Sequence, residues 1–599
     1  MRNPRFHVSP RRPGVGGDRG RVAVNIMLRG GFCTIPILLY NRHRTSAASA
    51  FAIIPGFPRR IRLVVRRARS GGHNGLLRLS LHGSPHRVRW SVHQRGALIA
   101  ARTMSSLLLR GIGWLYTCDE RHTLLENAWL HVVDGRVAAL GPEPCPVPAA
   151  DRSVDLTGCI VVPGFVNLHH HFFQSITRAI PRSQRATAFD WLFSLYPLWA
   201  ELDEDAMRAA TAAACAELLL TGATTSVDHS YLLPARAGDL ALAQVETAKS
   251  LGIRFHFVRG CMPTMEGDIA ERLRPLMGGR LDGIVDDGDA VLAAMRGALQ
   301  RFQDTAPFAM TRVDLGPTTV TYRKPDLMGR IAKLAKEFDA GLHTHYQPRA
   351  VEYDMARDLL GNTPLGFLRD SGWLGPRTWM AHCTELSDSE IDAFADAGCG
   401  VAYCARTAVR LGYKVPRIAR MRAQGVTVGI GVDGAGSNDS GSMLSEIRLA
   451  HLLHRVHAGP ETVPERDWLT PYDTLLMATR NGARLLGRDD VGQLAPGMAA
   501  DIAAFDLRRA AYVGTVADPL GGLVLAGADA AAALTVVNGR VVVERGRLVT
   551  ADEAAIAEHG NRAAERLLRA AEARTGLAFR IPPGPGPRPT VPPIPSMRQ

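Results

Sequence analysis

Short apolar runs alternate with longer stretches of helical periodicity from about residue 160 to residue 490. The longer stretches, such as DEDAMRAATAAACAELLLTG, KPDLMGRIAKLAKEFDAG and SDSEIDAFADAG, repeat apolar residues at helical spacing, and several end in glycine, the usual helix stop. Eight short runs are typical of buried strands: CIVVPGFVNLHHH, ATTSVDHS, IRFHFVRG, RVDLGPTTV, AGLHTHYQ, TWMAHC, CGVAYCA and VTVGIGVDG. Strand–helix alternation indicates parallel strands, and eight such units predict an α/β fold, a (β/α)8 TIM-like barrel.

Two β-rich segments flank the predicted barrel. AWLHVVDGRVAALG contains a DG turn and ALTVVNGRVVVERGRLV an NG turn, both hairpin signals. We expect these segments to pair into one small β-sandwich beside the barrel. The chain then closes with an amphipathic helix, NRAAERLLRAAEAR, and a Pro-rich tail that we expect to be mobile. The predicted divisions are an extension (1–103), the N-terminal sandwich segment (104–160), the barrel (161–490), the C-terminal sandwich segment (491–555) and the helix with its tail (556–599).

Charge is unevenly distributed along the chain. The net charge is +14 over 599 residues. Residues 1–103 hold 20 Arg, no Lys and a single acidic residue, Asp18, so residues 104–599 carry 51 basic and 56 acidic side chains. The basic character therefore belongs to the N-terminal segment and does not indicate a nucleic-acid partner. We interpret that segment as a disordered or non-native extension, with a transit peptide as the alternative.

Nine cysteines are scattered through the chain without a CxxC pair. Their odd number, and the absence of a recognisable secretory signal, predict reduced thiols in a cytoplasmic protein and no disulfide framework. The longest apolar run of the N-terminal segment, GFCTIPILLY, is too short to cross a bilayer, so we expect no membrane partner.

Three consecutive histidines end the first predicted barrel strand. Alternate side chains of a strand share a face, so His169 and His171 point the same way. His345, His382 and Asp433 follow later strands at the same end of the predicted barrel, where barrel enzymes place their chemistry. Neutral imidazoles with a carboxylate suit Zn²⁺, with one position open to water.

The motifs resemble those of a known family. PGFVNLHHH, LHTH, AHC and VDGAGSND are similar to the amidohydrolase superfamily, and APGMAADIAAFDL resembles its closing sandwich segment. HHHFFQSITRAIP, FDWLFSLYPLWAEL, GWLGPRTWMAH and VDGAGSNDSGSMLSEIRLAHLLHRV resemble the branch that contains 8-oxoguanine deaminase, isoxanthopterin deaminase and hydroxytriazine aminohydrolases. The resemblance covers about residues 104–550.

The resemblance implies a ligand set and an activity. It makes His169, His171, His345 and Asp433 the ligands of one divalent metal ion per chain, Zn²⁺ first and Fe²⁺ as the alternative. His382 would contact the attacking water or the substrate. The implied reaction is the hydrolytic removal of ammonia from a small amino-substituted aromatic N-heterocycle, purine- or pterin-like, with Asp433 as the base. It also implies a homo-oligomer.

One position departs from the pattern of that branch. The histidine equivalent to His345 is normally followed three residues later by a Glu that shuttles a proton, but Pro348 stands here. Glu352 is the first candidate to replace it, and Glu385 is the second. A solvated helix carboxylate is the alternative interpretation of Glu352.

Other polar and aromatic residues are weaker candidates. Gln174 resembles a substrate-contacting Gln, with loop hydrogen bonding as the alternative. Trp191 would stack on a flat ring or pack in the core. Arg259 would bind a ring carbonyl or an acidic group, or form a structural salt bridge. We expect Asp228 and His229 to orient ligands, and His343 to be an orienting or core residue.

Two further functions stay open at this point. The first is a metal-dependent hydrolase of another C–N bond, such as a triazine N-alkylamine or an amide, which the missing Glu favours. The second is a barrel without catalysis that acts as a binding protein, against which the complete ligand set counts.

Overall fold

The computed structural model describes most of the chain after Thr103 and six strands before it. The described ranges are 6–8, 20–28, 31–39, 47–52, 61–67, 77–81, 106–262, 268–285, 288–320, 325–347, 350–456, 464–526 and 531–581.

Residues 1–103 form a compact unit of their own. Its described backbone builds two antiparallel sheets of three strands each, which the sequence pattern did not predict. The interpretation of this segment as an extension stays a prediction. The strands are β1 (Phe6–Val8), β2 (Gly20–Leu28), β3 (Gly31–Leu39), β4 (Ala47–Ala52), β5 (Ile61–Arg67) and β6 (Leu77–Leu81).

The second unit, residues 104–599, begins with strands of a mixed sheet. β8 and β9 form the predicted hairpin, and its turn residues Asp134 and Gly135 both have positive φ, 47° and 81°, as a type I′ turn requires. The five strands are β7 (Ser106–Tyr116), β8 (Leu124–Val133), β9 (Arg136–Pro142), β10 (Arg152–Asp155) and β11 (Cys159–Pro163).

Eight parallel strands then form the barrel, in sequence order. Beyond the strand ends, Leu168 donates its backbone N–H to Ile430 O at 3.0 Å and Asp433 donates to His169 O at 2.9 Å, which joins the last strand to the first. The predicted (β/α)8 barrel is confirmed. Its strands are β12 (Phe165–Asn167), β13 (Ala223–Ser230), β14 (Arg254–Cys261), β15 (Thr311–Pro317), β16 (Leu342–Tyr346), β17 (Thr378–His382), β18 (Gly400–Tyr403) and β19 (Thr427–Ile430).

The first of the eight predicted strands is divided between two sheets. Residues 159–171 read as one strand, but β11 belongs to the mixed sheet and only β12 belongs to the barrel. The two meet at Gly164, where an added Cβ would lie 2.2 Å from the Thr224 side chain, so the chain passes from one sheet to the other through a contact that only glycine permits. The barrel thus begins at Phe165, and β12 ends before the histidines.

Helices surround the barrel, and their ends follow the capping signals in the sequence. Ser387 and Glu390 form a capping box, and the same helix stops at Gly398, which has φ 74°. The helices are α1 (Ala188–Trp199), α2 (Glu204–Leu220), α3 (Leu240–Leu251), α4 (Asp268–Met277), α5 (Gly279–Asp282), α6 (Gly288–Phe302), α7 (Pro325–Glu337), α8 (Ala350–Leu360), α9 (Pro364–Asp370), α10 (Asp388–Ala397), α11 (Ala405–Arg410), α12 (Ile418–Ala423), α13 (Met443–Leu453), α14 (Pro471–Ala478), α15 (Arg480–Leu485), α16 (Pro519–Gly521) and α17 (Glu553–Thr575).

The mixed sheet is completed by strands that follow the barrel: β20 (Ile502–Asp506), β21 (Leu534–Val537), β22 (Arg540–Glu544) and β23 (Arg547–Leu548). β11 lies between β7 and β20, so both flanks of the barrel share one nine-stranded sheet. Val137 of β9 bonds to Met498 in the segment that leads into β20, so the sheet rolls back on itself around an apolar core, as a small sandwich does.

The last helix packs on the barrel side of the molecule. α17 is longer than the predicted segment, and its buried side chains, among them Ala563, Leu567 and Ala571, lie at helical spacing on one face. Arg566 on its polar side pairs with Asp203 and Asp205 at 2.9 Å each. The Pro-rich tail from residue 582 lies outside the described residues.

Two expectations concern the chain as a whole. The eight cysteines whose side chains are described are all free thiols, as expected. Within the described part of the chain, every helix is too short or too polar to cross a membrane.

Candidate functional site

The predicted ligands meet at the carboxyl end of the barrel. His169 and His171 follow β12, His345 lies in β16, His382 ends β17 and Asp433 comes shortly after β19. His171 is followed directly by a 3-10 helix, Phe172–Ile176, so the histidine run forms an extended connection and not the strand end that the sequence predicted. Four of these five side chains are buried, and His345 is half-buried.

Four donor atoms of this cluster lie at ligand-like spacing. His169 Nε2 is 3.4 Å from Asp433 Oδ1, and His171 Nε2 is 3.3 Å from the same oxygen. His171 Nε2 is also 3.1 Å from His345 Nε2. Donors around a tetrahedral zinc ion are about 3.3 Å apart, because Zn–N bonds are about 2.0–2.1 Å long.

The other ring nitrogen of each imidazole fixes where its lone pair points. His171 Nδ1 lies 2.8 Å from the carbonyl oxygen of His229, and His345 Nδ1 bonds to the carbonyl oxygen of Thr318. A carbonyl oxygen only accepts, so both Nδ1 atoms carry the proton and both Nε2 atoms present lone pairs. Two lone pairs facing each other across 3.1 Å repel, so the arrangement fits a cation between them.

His382 and His229 extend the group of donors. Donor atoms of His169, His382 and Asp433 lie within 4.8 Å of one another, as do those of His169, His229 and His345. We expected His229 only to orient ligands, yet its fully buried ring has no hydrogen-bond partner at either nitrogen. Strand parity was the available signal, since Val227 faces the barrel interior and His229 is two residues further on.

Electrostatics keeps these groups in ligand-competent protonation states. Burial lowers the pKa of His345 to about 4 and that of His169 well below its usual value, so both imidazoles are neutral near pH 7. Burial opposes ionisation of Asp433, but the neighbouring histidines hold its pKa well below the usual range. Its carboxylate also accepts from Gly434 N–H at 2.6 Å and from the Ser437 hydroxyl at 2.9 Å.

The backbone is strained where two of these side chains are presented. His382 has φ 74° and Asp433 has φ 64°, both in the left-handed region, which costs a non-glycine residue about 1–3 kcal/mol. Such strain persists only where the surrounding structure over-determines the backbone, and here it turns the side chains of two strand ends toward the same point.

Gln174 and Trp191 contact the loop that follows Asp433. Gln174 Oε1 accepts from Gly436 N–H at 3.1 Å, while Nε2 is buried without a hydrogen-bond partner. Trp191 donates its indole N–H to Gly436 O at 2.8 Å, and its ring lies 5.4 Å from Trp199, edge to face. Trp191 is therefore a packing residue in this structure, and its predicted stacking on substrate stays a prediction.

Asp439 and Asp228 hold the neighbouring loops. Asp439 accepts from Ala179 N–H at 2.7 Å and from Arg410 Nε at 2.9 Å, which ties the loop after Asp433 to two others. Asp228 accepts the backbone N–H of Phe172 at 2.6 Å, directly after His171. Arg410 and Asp228 thus position the chain segments that carry the ligands.

Arg259 lies away from the donor cluster. In the β14–β15 register it stands beside Leu315, which packs in the layer between strands and helices, whereas the adjacent Val258 faces the barrel interior. Its guanidinium bonds to the carbonyl oxygen of Gly260. The structure therefore does not bring Arg259 to the other predicted site residues.

The proton shuttle is the least defined feature of the site. Pro348 lies outside the described residues, so the departure at that position has no structural account. Glu352 is half-buried in the first turn of α8. Glu385 forms an ion pair with Lys414 at 2.6 Å. The ion pair with Lys414 thus engages Glu385 in the loop that follows β17.

Similar proteins are found both by sequence and by structure. Hydroxydechloroatrazine ethylaminohydrolase from Pseudomonas sp. (strain ADP) is 35% identical over 480 residues, 78% of this chain and 96% of that protein. 8-Oxoguanine deaminase from Pseudomonas aeruginosa is 36% identical over 440 residues, 73% of this chain and 94% of that protein. The crystal structure of atrazine chlorohydrolase from Arthrobacter aurescens TC1, complexed with zinc, is 34% identical with a TM-score of 0.71, over 76% of this chain and all of the other.

A family model ties these likenesses together. The model of the amidohydrolase family matches residues 160–542, which begin in β11 and end in β22. This range contains the whole barrel and every donor of the cluster. The chain therefore belongs to the amidohydrolase family.

Proposed function

We propose that this protein is a metal-dependent aminohydrolase that releases ammonia from a small amino-substituted aromatic N-heterocycle of the 8-oxoguanine or pterin type. The observation that carries the proposal is the set of imidazole lone pairs and one carboxylate converging at 3.1–3.4 Å. Among the relatives, an 8-oxoguanine deaminase is 36% identical and an isoxanthopterin deaminase 33% identical.

His169, His171, His345 and Asp433 would hold one divalent ion per chain. Three nitrogen donors and one oxygen donor favour Zn²⁺, and Fe²⁺ is the alternative. When bound, the ion supplies Lewis acidity and makes hydroxide available at neutral pH, because it lowers the pKa of water to about 7. The complex of the Arthrobacter relative with zinc supports this choice of ion.

The chain's own residues account for proton movement and charge. Water oxygen adds to the ring carbon that bears the amine, and Asp433, held ionised, takes the proton released by that water. His382 would stabilise the charge that develops on the tetrahedral centre. Gln174 Nε2, which is buried without a hydrogen-bond partner, would donate to a ring acceptor.

Cleavage of the C–N bond needs a proton on the leaving nitrogen. A second carboxyl group would donate this proton and then be reprotonated by the one that Asp433 took from water, so water and the amine give ammonia and the oxo product with no other reactant. Glu352 is our candidate for this delivery, because Glu385 is engaged by Lys414.

A second candidate is the hydrolysis of a C–N bond to an alkylamine on a triazine. The relative named hydroxydechloroatrazine ethylaminohydrolase, 35% identical, favours it. The same cluster serves both reactions, since only the leaving amine and the ring differ. A barrel without catalysis is the third candidate, which the complete donor set disfavours.

A single screen separates these candidates. The full-length protein, loaded with Zn²⁺, is incubated with aminopurines, pterins, N-alkyl triazines and cytosine, and released ammonia and alkylamine are quantified. We expect ammonia from a purine or pterin. Alkylamine from a triazine would select the second candidate, and metal binding without any product would select the third.

Two further expectations go with the proposal. The partner is a small-molecule heterocycle, and the chain is expected to form a homo-oligomer, as the resemblance implied. The cytoplasmic location inferred from the cysteines also stays a prediction. Size-exclusion chromatography with light scattering measures the oligomeric state, and a monomer at working concentrations would contradict it.

A further inference from the structure

His343 lies directly behind one of the ligands and has no role in the proposed reaction. Its Nε2 is 2.7 Å from His169 Nδ1, and its Nδ1 is 2.8 Å from the carbonyl oxygen of Trp379. His343 and His169 are both fully buried. The His343 ring stacks on the Trp379 indole, with centroids 4.8 Å apart and 18° between the planes, so its orientation is fixed.

The carbonyl group of Trp379 sets the direction of the hydrogen bonds that link Trp379, His343 and His169. The oxygen of Trp379 only accepts, so His343 Nδ1 carries a proton and donates it. An imidazolium at this buried position would be an unpaired charge, which is costly, so His343 is neutral and its Nε2 accepts. His169 Nδ1 must then donate, which leaves the lone pair of His169 on Nε2, 3.4 Å from Asp433 Oδ1.

We propose that His343 is a positioning residue that fixes the ring tautomer of His169 and thereby sets the affinity of the site for its divalent ion. The inference rests on the proposed metal-dependent function. A hydrogen bond at the outer nitrogen holds the ring in place and raises the basicity of the ligating nitrogen. Without the acceptor Nε2 of His343, the proton of His169 is free to move from Nδ1 to Nε2. The ring then no longer presents a lone pair at Nε2.

His169 differs in this respect from the other two imidazoles. His171 and His345 donate to backbone carbonyls, of His229 and Thr318, which no substitution removes. His169 alone among these three depends on another side chain. The affinity of the site is therefore open to change at position 343 without alteration of any ligand.

Two amide substitutions separate the two hydrogen bonds of His343. In His343→Gln, Oε1 takes the place of Nε2 and accepts from His169, but Trp379 O loses its donor. In His343→Asn, Nδ2 takes the place of Nδ1 and donates to Trp379 O, but His169 loses its acceptor. The proposal predicts that Asn weakens zinc binding by about 10–100-fold, while Gln keeps most of the affinity.

The measurement is the zinc dissociation constant of each full-length protein, by competition with a chromophoric chelator. The Co²⁺ absorption spectrum is a second readout, expected to change in the Asn variant and not in the Gln variant. His451→Gln, at a buried histidine of α13 whose Nδ1 lies 2.9 Å from the Thr474 hydroxyl, is the matched control. Circular dichroism confirms that each variant is folded, and His343→Leu replaces Asn, with the same expectation, if Asn does not fold.

Two results would overturn the proposal. Wild-type zinc affinity in the Asn or Leu variant would show that His169 does not need the acceptor. Equal losses in Gln and Asn would show that His343 only fills space. Failure of the wild-type protein to bind any divalent ion is a different outcome, because it removes the proposed function itself.

Discussion

Both ends of the barrel bury polar or charged groups, but the partners of these groups differ between the two ends. At the amino end, Arg254 is fully buried and makes two bonds to Asp501, at 3.0 and 3.1 Å, and two to the carbonyl oxygens of Phe308 and Ala309, both at 2.8 Å. Arg488 pairs with Asp490 in the same way, at 2.7 and 2.8 Å. At the carboxyl end, imidazole lone pairs face each other and a carboxylate.

The difference separates a structural element from a binding site. The amino end is complete within the chain, because each guanidinium has its carboxylate. The carboxyl end has an excess of electron pairs, which only a cation from outside the chain balances. A buried ion pair is costly to break on one side, whereas a metal site contributes stability only when its ion is bound.

The largest expected effect is at the carboxyl end. His171→Ala removes the imidazole whose Nε2 contacts both Asp433 and His345, and we expect loss of metal retention and of turnover. Metal content by atomic emission and product release measure both. His451→Ala is the control, expected to keep metal and turnover, and full activity in His171→Ala would contradict the assignment of the ligand.

At the amino end, the expected effect is on stability and not on metal content. Arg254→Met leaves Asp501 buried without its partner, and we expect the free energy of unfolding to fall by about 3–5 kcal/mol. Denaturant unfolding of the metal-loaded protein measures it. The double variant Arg254→Met with Asp501→Leu should recover much of the loss, and no recovery would show that the carboxylate was not the source.

Removal of the metal tests the independence of the two ends. With free zinc at one hundred times its dissociation constant, binding stabilises the protein by about 2.7 kcal/mol, so chelation should lower unfolding free energy by that amount. The same decrease is expected in Arg254→Met, because the hydrogen bonds given above for the two ends involve different residues. A much smaller decrease in that variant would show that the ends are coupled.

The last expected effect is the pH dependence of a buried histidine outside both ends. Burial lowers the pKa of His451 to about 4, so between pH 6.5 and 4 the unfolded chain binds a proton there that the folded chain does not. Stability is therefore lost as pH falls through this window, by at most about 1.4 kcal/mol per pH unit. In His451→Gln, the slope of the free energy of unfolding against pH should be smaller by the contribution of about one proton. An equal slope in the variant and the wild-type protein would contradict the expectation.

Sequence patterning located the barrel because its signals are local. Each of the eight apolar runs corresponds to a barrel strand, and helices such as α2, α7 and α10 follow the predicted amphipathic stretches. The DG and NG turns were also found correctly, since both need positive φ at two positions and the chain supplies suitable residues. The sequence did not predict the division between β11 and β12, because the apolar run continues through both strands.

The candidate site was predictable only to a limited extent. His169, His171, His345, His382 and Asp433 come together as the spacing of strand ends implied. The positions of Arg259 and His229 did not follow from the sequence, because the face that a strand residue presents depends on register, and register is set by long-range pairing. The hydrogen bond of Trp191 depends on the loop that follows β19, 245 residues further along the chain, which no local pattern specifies.

The position of β11 has a consequence for how the protein is made. Cys159 of β11 pairs with Asp506 of β20, a strand synthesised only after the whole barrel. On the ribosome, β11, the strand just before β12, thus waits with one edge exposed while the barrel emerges. Such delayed pairing slows folding and leaves an aggregation-prone edge, so expression yield should depend strongly on synthesis rate and on chaperones.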